Sequence, residues 1–88
     1  MLTLQDCIAL SELTEDEILA IAEHERIPEM AAAEMGNYLV HTPDGAVRIR
    51  RMIVDDIERA TLCRDIHRAA TLRVTLRLFI EHHRSVRP

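Results

Sequence analysis

The sequence predicts an all-α fold: a small helical bundle of four main helices in two antiparallel hairpins, preceded by a short N-terminal helix. Three observations predict it. Hydrophobic residues make up 48% of the chain while aromatic residues make up only 2%, and cores of Leu, Ile, Val, Met and Ala suit helix-on-helix packing. Two Gly and three Pro are too few for the many tight turns of an all-β chain. Apolar residues recur at helical spacing in segments that open on capping residues. The 88 residues form one domain, 1–88. A chain of this size buries only about 60–65% of the surface its unfolded form exposes, so a second copy of the molecule is a natural cover for the remaining apolar surface.

Thr3-Leu4-Gln5-Asp6 has a capping-box pattern and opens a short helix over about Leu4 to Leu10. Ser11 to Leu13 links it to the strongest start signal in the chain. There, Thr14 caps, Glu17 occupies the capping-box position, and Glu15, Asp16 and Glu17 face the positive end of the helix dipole. Ile18, Ile21, Ala22 and Glu25 then share a face. The helix ends near Arg26, because Ile27 precedes Pro28 and is pushed out of the α region.

Pro28 begins the next helix, with Ala31, Ala32, Met35, Leu39 and Thr42 as its buried stripe and Tyr38 at the edge. Gly36 costs about 1 kcal/mol against Ala in a helix interior, which makes it a candidate close-packing point. Pro43-Asp44-Gly45 is a turn. The third helix runs from about Ala46 to Cys63, with Ala46, Ile49, Ile53, Ile57 and Ala60 inward and Arg48, Arg51, Asp55 and Arg59 as an outer ladder of i, i+4 pairs. At Arg64 the apolar stripe fails. Arg64-Asp65 is therefore read as a break, one continuous helix being the alternative. Asp65 caps a last helix, Ile66 to about His83, which buries Ala69, Leu72, Leu76, Phe79 and Ile80. Val74 and Leu78 fall on its far side and form a candidate dimer seam, beside Arg73 and Arg77. Residues 85–88 are a tail.

Charge divides the chain. Residues 1–45 hold ten acids against one Arg, and residues 46–88 hold ten Arg against five acids. The expectation is that the acidic half packs on the basic half, within one molecule or across a dimer; a charged external protein is the alternative partner for either face. Cys7 and Cys63 have neither disulfide-framework nor zinc-finger spacing. No basic n-region opens the chain, and the longest apolar run, residues 18–22, is far short of a membrane span. These features point to a cytoplasmic protein without a membrane partner.

The candidate chemistry is sparse. Glu25, His24 and His41 are of the types that ligate iron or zinc, but the chain lacks the Glu-x-x-His pairs a helical-bundle carboxylate site needs. Glu25 is the odd residue, an acid on an apolar face at the unfavourable end of the helix dipole. Residues 14–40 have the outline of a helix-turn-helix. Their second helix carries Glu29 and Glu34 and no base, so phosphates repel it. The Arg-rich half (Arg64, Arg68, Arg73, Arg77, Arg84, Arg87) has a single aromatic residue among it, Phe79, which belongs to the buried stripe and so leaves no exposed ring to stack bases. Nucleic acid is therefore not an expected partner. No nucleophile elbow or oxyanion-hole pattern accompanies Cys7, Cys63 or the His residues. Cys63 reads as a buried small hydrophobe and His82-His83 as helix-dipole partners. Met30, Met35 and Met52 read as core fill.

The segment LTEDEILAIAEHERIPEMAAAEMGNYL, residues 13–39, resembles small all-helical proteins of proteobacteria that have no assigned activity. The resemblance covers roughly a third of the chain and implies a bacterial cytoplasmic protein. Together the readings point to a non-enzymatic protein–protein interaction module or adaptor, homodimeric and without a cofactor. The alternative is a helical metal- or cofactor-binding protein using Glu25, His24 and His41.

Overall fold

The computed structural model describes residues 13–83. It contains four helices and, among the described residues, no strand: α1 (Glu15–Glu25), α2 (Glu29–Leu39), α3 (Gly45–Leu62) and α4 (Ile66–His82). The expected N-terminal helix at about Leu4–Leu10, Cys7 and the tail at 85–88 lie outside the described residues.

Each helix starts where its sequence signal places it. Thr14 Oγ1 accepts from the Glu17 backbone N–H at 3.3 Å, and Glu17 Oε1 accepts from the Thr14 N–H at 2.9 Å, a complete capping box. The Pro28 carbonyl accepts from Ala32 N–H at 2.9 Å at the head of α2. At the head of α4, Asp65 Oδ1 accepts from Arg68 N–H at 3.1 Å.

Two helix ends use the same stop. Arg26 (φ 57°) and Arg64 (φ 59°) both adopt the left-handed conformation. The following N–H groups reach back to close Schellman motifs, Ile27 to the Ala22 carbonyl at 3.0 Å and Asp65 to the Ala60 carbonyl at 2.9 Å. The chain thus breaks at Arg64-Asp65 without Gly or Pro, and the interrupted apolar stripe marks the place.

The helices share one core. Ile18, Ala20 and Ile21 of α1, Ala32, Ala33 and Leu39 of α2, Ile49, Met52, Ile53 and Ala60 of α3, and Ala69, Leu72 and Phe79 of α4 are all buried in it. α1 packs on α2, α3 and α4, α2 packs also on α3, and α3 packs along α4. Gly36 is the close-packing point between α2 and the residue that precedes α1. A Cβ there would run into Leu13 Cδ1 and lie 3.0 Å from Ile21 Cδ1. Gly45 opens α3 against the Leu39 carbonyl, where a Cβ has no room.

Several expected core positions are not core. Ile80 is 36% exposed, because the buried arc of α4 runs through Leu72, Thr75 and Phe79 and leaves position 80 at its margin. Met30 is 41% exposed and Met35 half-buried, and of the three methionines only Met52 fills the core. Cys63 is exposed, since it is the last residue before the left-handed turn and the chain is already leaving the bundle. His82 is exposed in the last turn of α4, whereas His83 is buried and packs on the Phe79 ring at 4.4 Å between centroids.

Candidate functional site

The polar residues that do come together lie where the end of α1 meets the middle of α3. His24 projects from α1 toward α3 with both ring nitrogens engaged: Nδ1 with Glu25 Oε2 at 2.7 Å and Nε2 with Asp55 Oδ2 at 3.0 Å. Two donors facing two carboxylates describe an imidazolium. Burial alone lowers the His24 pKa, but the hydrogen bonds to Asp55 and Glu25 and the nearby Asp56 charge outweigh it, and the net shift is upward. Next to this clasp, Arg68 of α4 pairs with Glu23 of α1, Nη2 to Oε1 at 3.0 Å.

Asp56, one residue beyond Asp55, turns inward. It is 2% exposed, and neither carboxyl oxygen has a hydrogen-bond partner among the described residues. Burial pushes its pKa up to about 6; Glu23 adds to the rise, while His24, Arg59 and Arg68 oppose it. Glu17 is the second buried carboxylate, fully inaccessible, with Oε1 tied into the capping box and Oε2 unpartnered among the described residues. Burial raises its pKa against the Thr14 hydrogen bonds and the His82 charge. A carboxyl held near neutrality is what a general acid needs. A side chain as enclosed as Asp56 offers no proton to a substrate, and its titration is coupled instead to the integrity of the core.

The residues expected to act together are not assembled. Glu25 is exposed, not buried: the left-handed turn at Arg26 ends α1 there, so no neighbouring helix covers that side chain. His24 stands beside it, but His41 lies past the far end of α2, with Nδ1 donating to the Asn37 carbonyl at 2.7 Å. Among the described residues no three His, Cys, Asp or Glu side chains converge as a metal site. The Arg48–Arg51–Asp55–Arg59 ladder also gives way, because Asp55 pairs with His24 across the helix interface.

The charge division is realised at one place among the described residues. Among the described residues Arg68–Glu23 is the single Arg–carboxylate ion pair, and the halves pack through aliphatic side chains. Arg73 and Arg77 stay exposed and unpaired within the described residues. Beside them Val74 is 58% and Leu78 40% exposed, and at the α3–α4 corner Leu62 and Ile66 are 84% and 79% exposed. Val74 and Leu78 are thus outward-facing, as their helical positions require.

Asp56 was legible in the sequence. It stands three residues after Ile53, seven after Ile49 and four before Ala60, all core positions, and that spacing places it on the same face. Glu17 is buried by the capping box that its position announces.

Helix-on-helix packing around a single aliphatic core defines the class of this protein, a small all-α bundle. The chain matches no known protein family, no curated protein and no solved structure. No helix among the described residues is long and apolar enough to cross a membrane.

Proposed function

We propose that this chain is a protein–protein interaction module without catalytic chemistry of its own, and that it self-associates through the outer face of α4. The observation that carries this reading is the exposure of Val74 (58%) and Leu78 (40%), flanked by Arg73 and Arg77 that have no ion-pair partner among the described residues. Complete burial of a Val or Leu side chain is worth about 1.5–3 kcal/mol, and two copies pairing along α4 cover these residues from both sides. The Arg side chains form a charged rim that fixes orientation more than affinity. The exposed thiol of Cys63 supports placing the module in a reducing, cytoplasmic compartment.

Light scattering on the purified chain, from low to high micromolar concentration, tests the reading. A mass that rises toward the dimer, and shifts toward the monomer in a Val74→Ser/Leu78→Ser variant of unchanged helicity, supports it. A wild-type monomer at high micromolar concentration refutes it.

A further inference from the structure

We propose that two copies of this chain make a second contact, distinct from the α4 seam, in which the outer face of α2 on one copy seats in an Arg-rimmed apolar groove on α3 and α4 of the other. The two surfaces match in chemistry and in spacing. The groove, of about 280 Å³, is lined by Val47, Val54 and Leu76 with Arg50 and Arg51 at its rim. Val47 is 56% exposed. On α2, Met30 is 41% and Tyr38 69% exposed, and the exposed Glu34 stands midway between them.

Residues i, i+4 and i+8 share one helix face, so Met30, Glu34 and Tyr38 form a row of apolar, acidic, apolar side chains. At 1.5 Å per residue the row spans about 12 Å, and Val47 to Val54 spans about 10 Å. Arg50 and Arg51 fall at the centre of the second row as Glu34 does at the centre of the first. When one row is laid along the other in either direction, the apolar ends meet and Glu34 meets the two Arg.

The charges agree beyond the central residues. α2 carries Glu29 and Glu34 and no base, whereas the first seven residues of α3 carry Arg48, Arg50 and Arg51 and no acid. Glu34, Arg50 and Arg51 make no ion pair among the described residues. The occupant is a second copy because α2 cannot reach its own groove: Ala32, Ala33, Gly36 and Leu39 bury the opposite side of α2 in the bundle, so the Met30–Tyr38 row faces away from the rest of its own molecule.

A charge exchange tests this. Glu34→Arg and, separately, Arg50→Glu/Arg51→Glu are made in the full chain, and sedimentation equilibrium is run on each alone and on their equimolar mixture. All three positions are exposed, and circular dichroism verifies that the helices are intact. Each variant alone sets like charges against each other and is expected to associate at least about tenfold more weakly than wild type. The mixture is expected to recover wild-type strength, because each variant then meets its complement. Unchanged association of either variant, or a mixture no stronger than its components, overturns the proposal. The Val74→Ser/Leu78→Ser variant separates it from the α4 seam. If that variant is monomeric while Glu34→Arg associates like wild type, the α2 contact falls and the seam stands; the reverse pattern keeps the α2 contact and removes the seam. A monomeric wild type removes both.

Discussion

Replacing Asp56 by Asn stabilises the fold at neutral pH and leaves it nearly unchanged at low pH. The sign follows from the direction of the shift. An ordinary Asp carboxyl titrates at 3.8, and in the folded chain that of Asp56 titrates at about 6. The folded state therefore holds its proton more tightly than the unfolded one. Well below pH 3.8 both states are protonated and the residue is neutral in its effect. Between about pH 4 and 6 stability falls as pH rises, and above about 6 the full penalty remains. A difference of about two units at 1.36 kcal/mol each gives a penalty of about 3 kcal/mol at pH 7. Asn keeps the shape and removes the charge, but its buried amide inherits the absence of hydrogen-bond partners, which costs roughly 1–3 kcal/mol in either neutral form. That cost is common to Asn and protonated Asp and cancels, so relative to wild type the expected gain is about 3 kcal/mol at pH 7 and well under about 1 kcal/mol at pH 4. Urea unfolding followed by circular dichroism reads this directly. With a slope of about 1 kcal/mol/M the midpoint rises by about 3 M at pH 7. The quantity to compare is the difference between variant and wild type at each pH, in which titrating groups not coupled to Asp56 cancel; His24, whose pKa the Asp56 charge helps to raise, is the coupled neighbour that contributes to it. A difference that does not vary between pH 4 and 7, or an Asn variant less stable than wild type at pH 7, refutes the reasoning.

Two further outcomes are expected. Gly36→Ala destabilises by about 1–3 kcal/mol although Ala is the better helix former, because its Cβ meets Leu13 and Ile21; thermal melts should show the loss, and the same substitution made in a Leu13→Ala background should cost less than it does in wild type, as relief of that contact requires. His24 titrates above 6.5, the value its imidazole has when exposed, as its clasp with Asp55 and Glu25 requires. Its contribution to stability is complete below pH 6.5 and disappears as pH rises through the folded value. NMR titration of the ring should show the raised value in wild type and a fall toward 6.5 in Asp55→Asn.

The fold was legible because its boundaries are written in local chemistry. Thr14 with Glu17, Pro28 after Ile27, and the loss of the apolar stripe at Arg64 mark helix ends by hydrogen-bonding and steric rules that need no tertiary information. The site was less legible. Glu25 falls on the apolar arc of α1 when the helix is drawn alone, but a helical wheel does not show that the next helix departs at Arg26. Asp56 has the reverse history. An apolar stripe drawn through hydrophobic residues passes over a carboxylate at a core position, although its spacing from Ile49, Ile53 and Ala60 is that of a core residue. The opposed charges of the two halves are real in composition, yet among the described residues the only Arg–carboxylate pair is Arg68–Glu23, because small bundles pack through their aliphatic faces and direct most charges to water.

Tyr38 is the only tyrosine of a chain that has no tryptophan, and in the folded molecule it is 69% exposed. Near-ultraviolet signals of this protein therefore come almost entirely from one side chain at the centre of no core. Unfolding moves that ring from water to water, while the α2 docking proposed above would remove it from solvent. Tyrosine fluorescence and acrylamide quenching are thus a built-in reporter that is nearly blind to folding and responsive to assembly, and they let the two equilibria be followed apart in a single unlabelled sample.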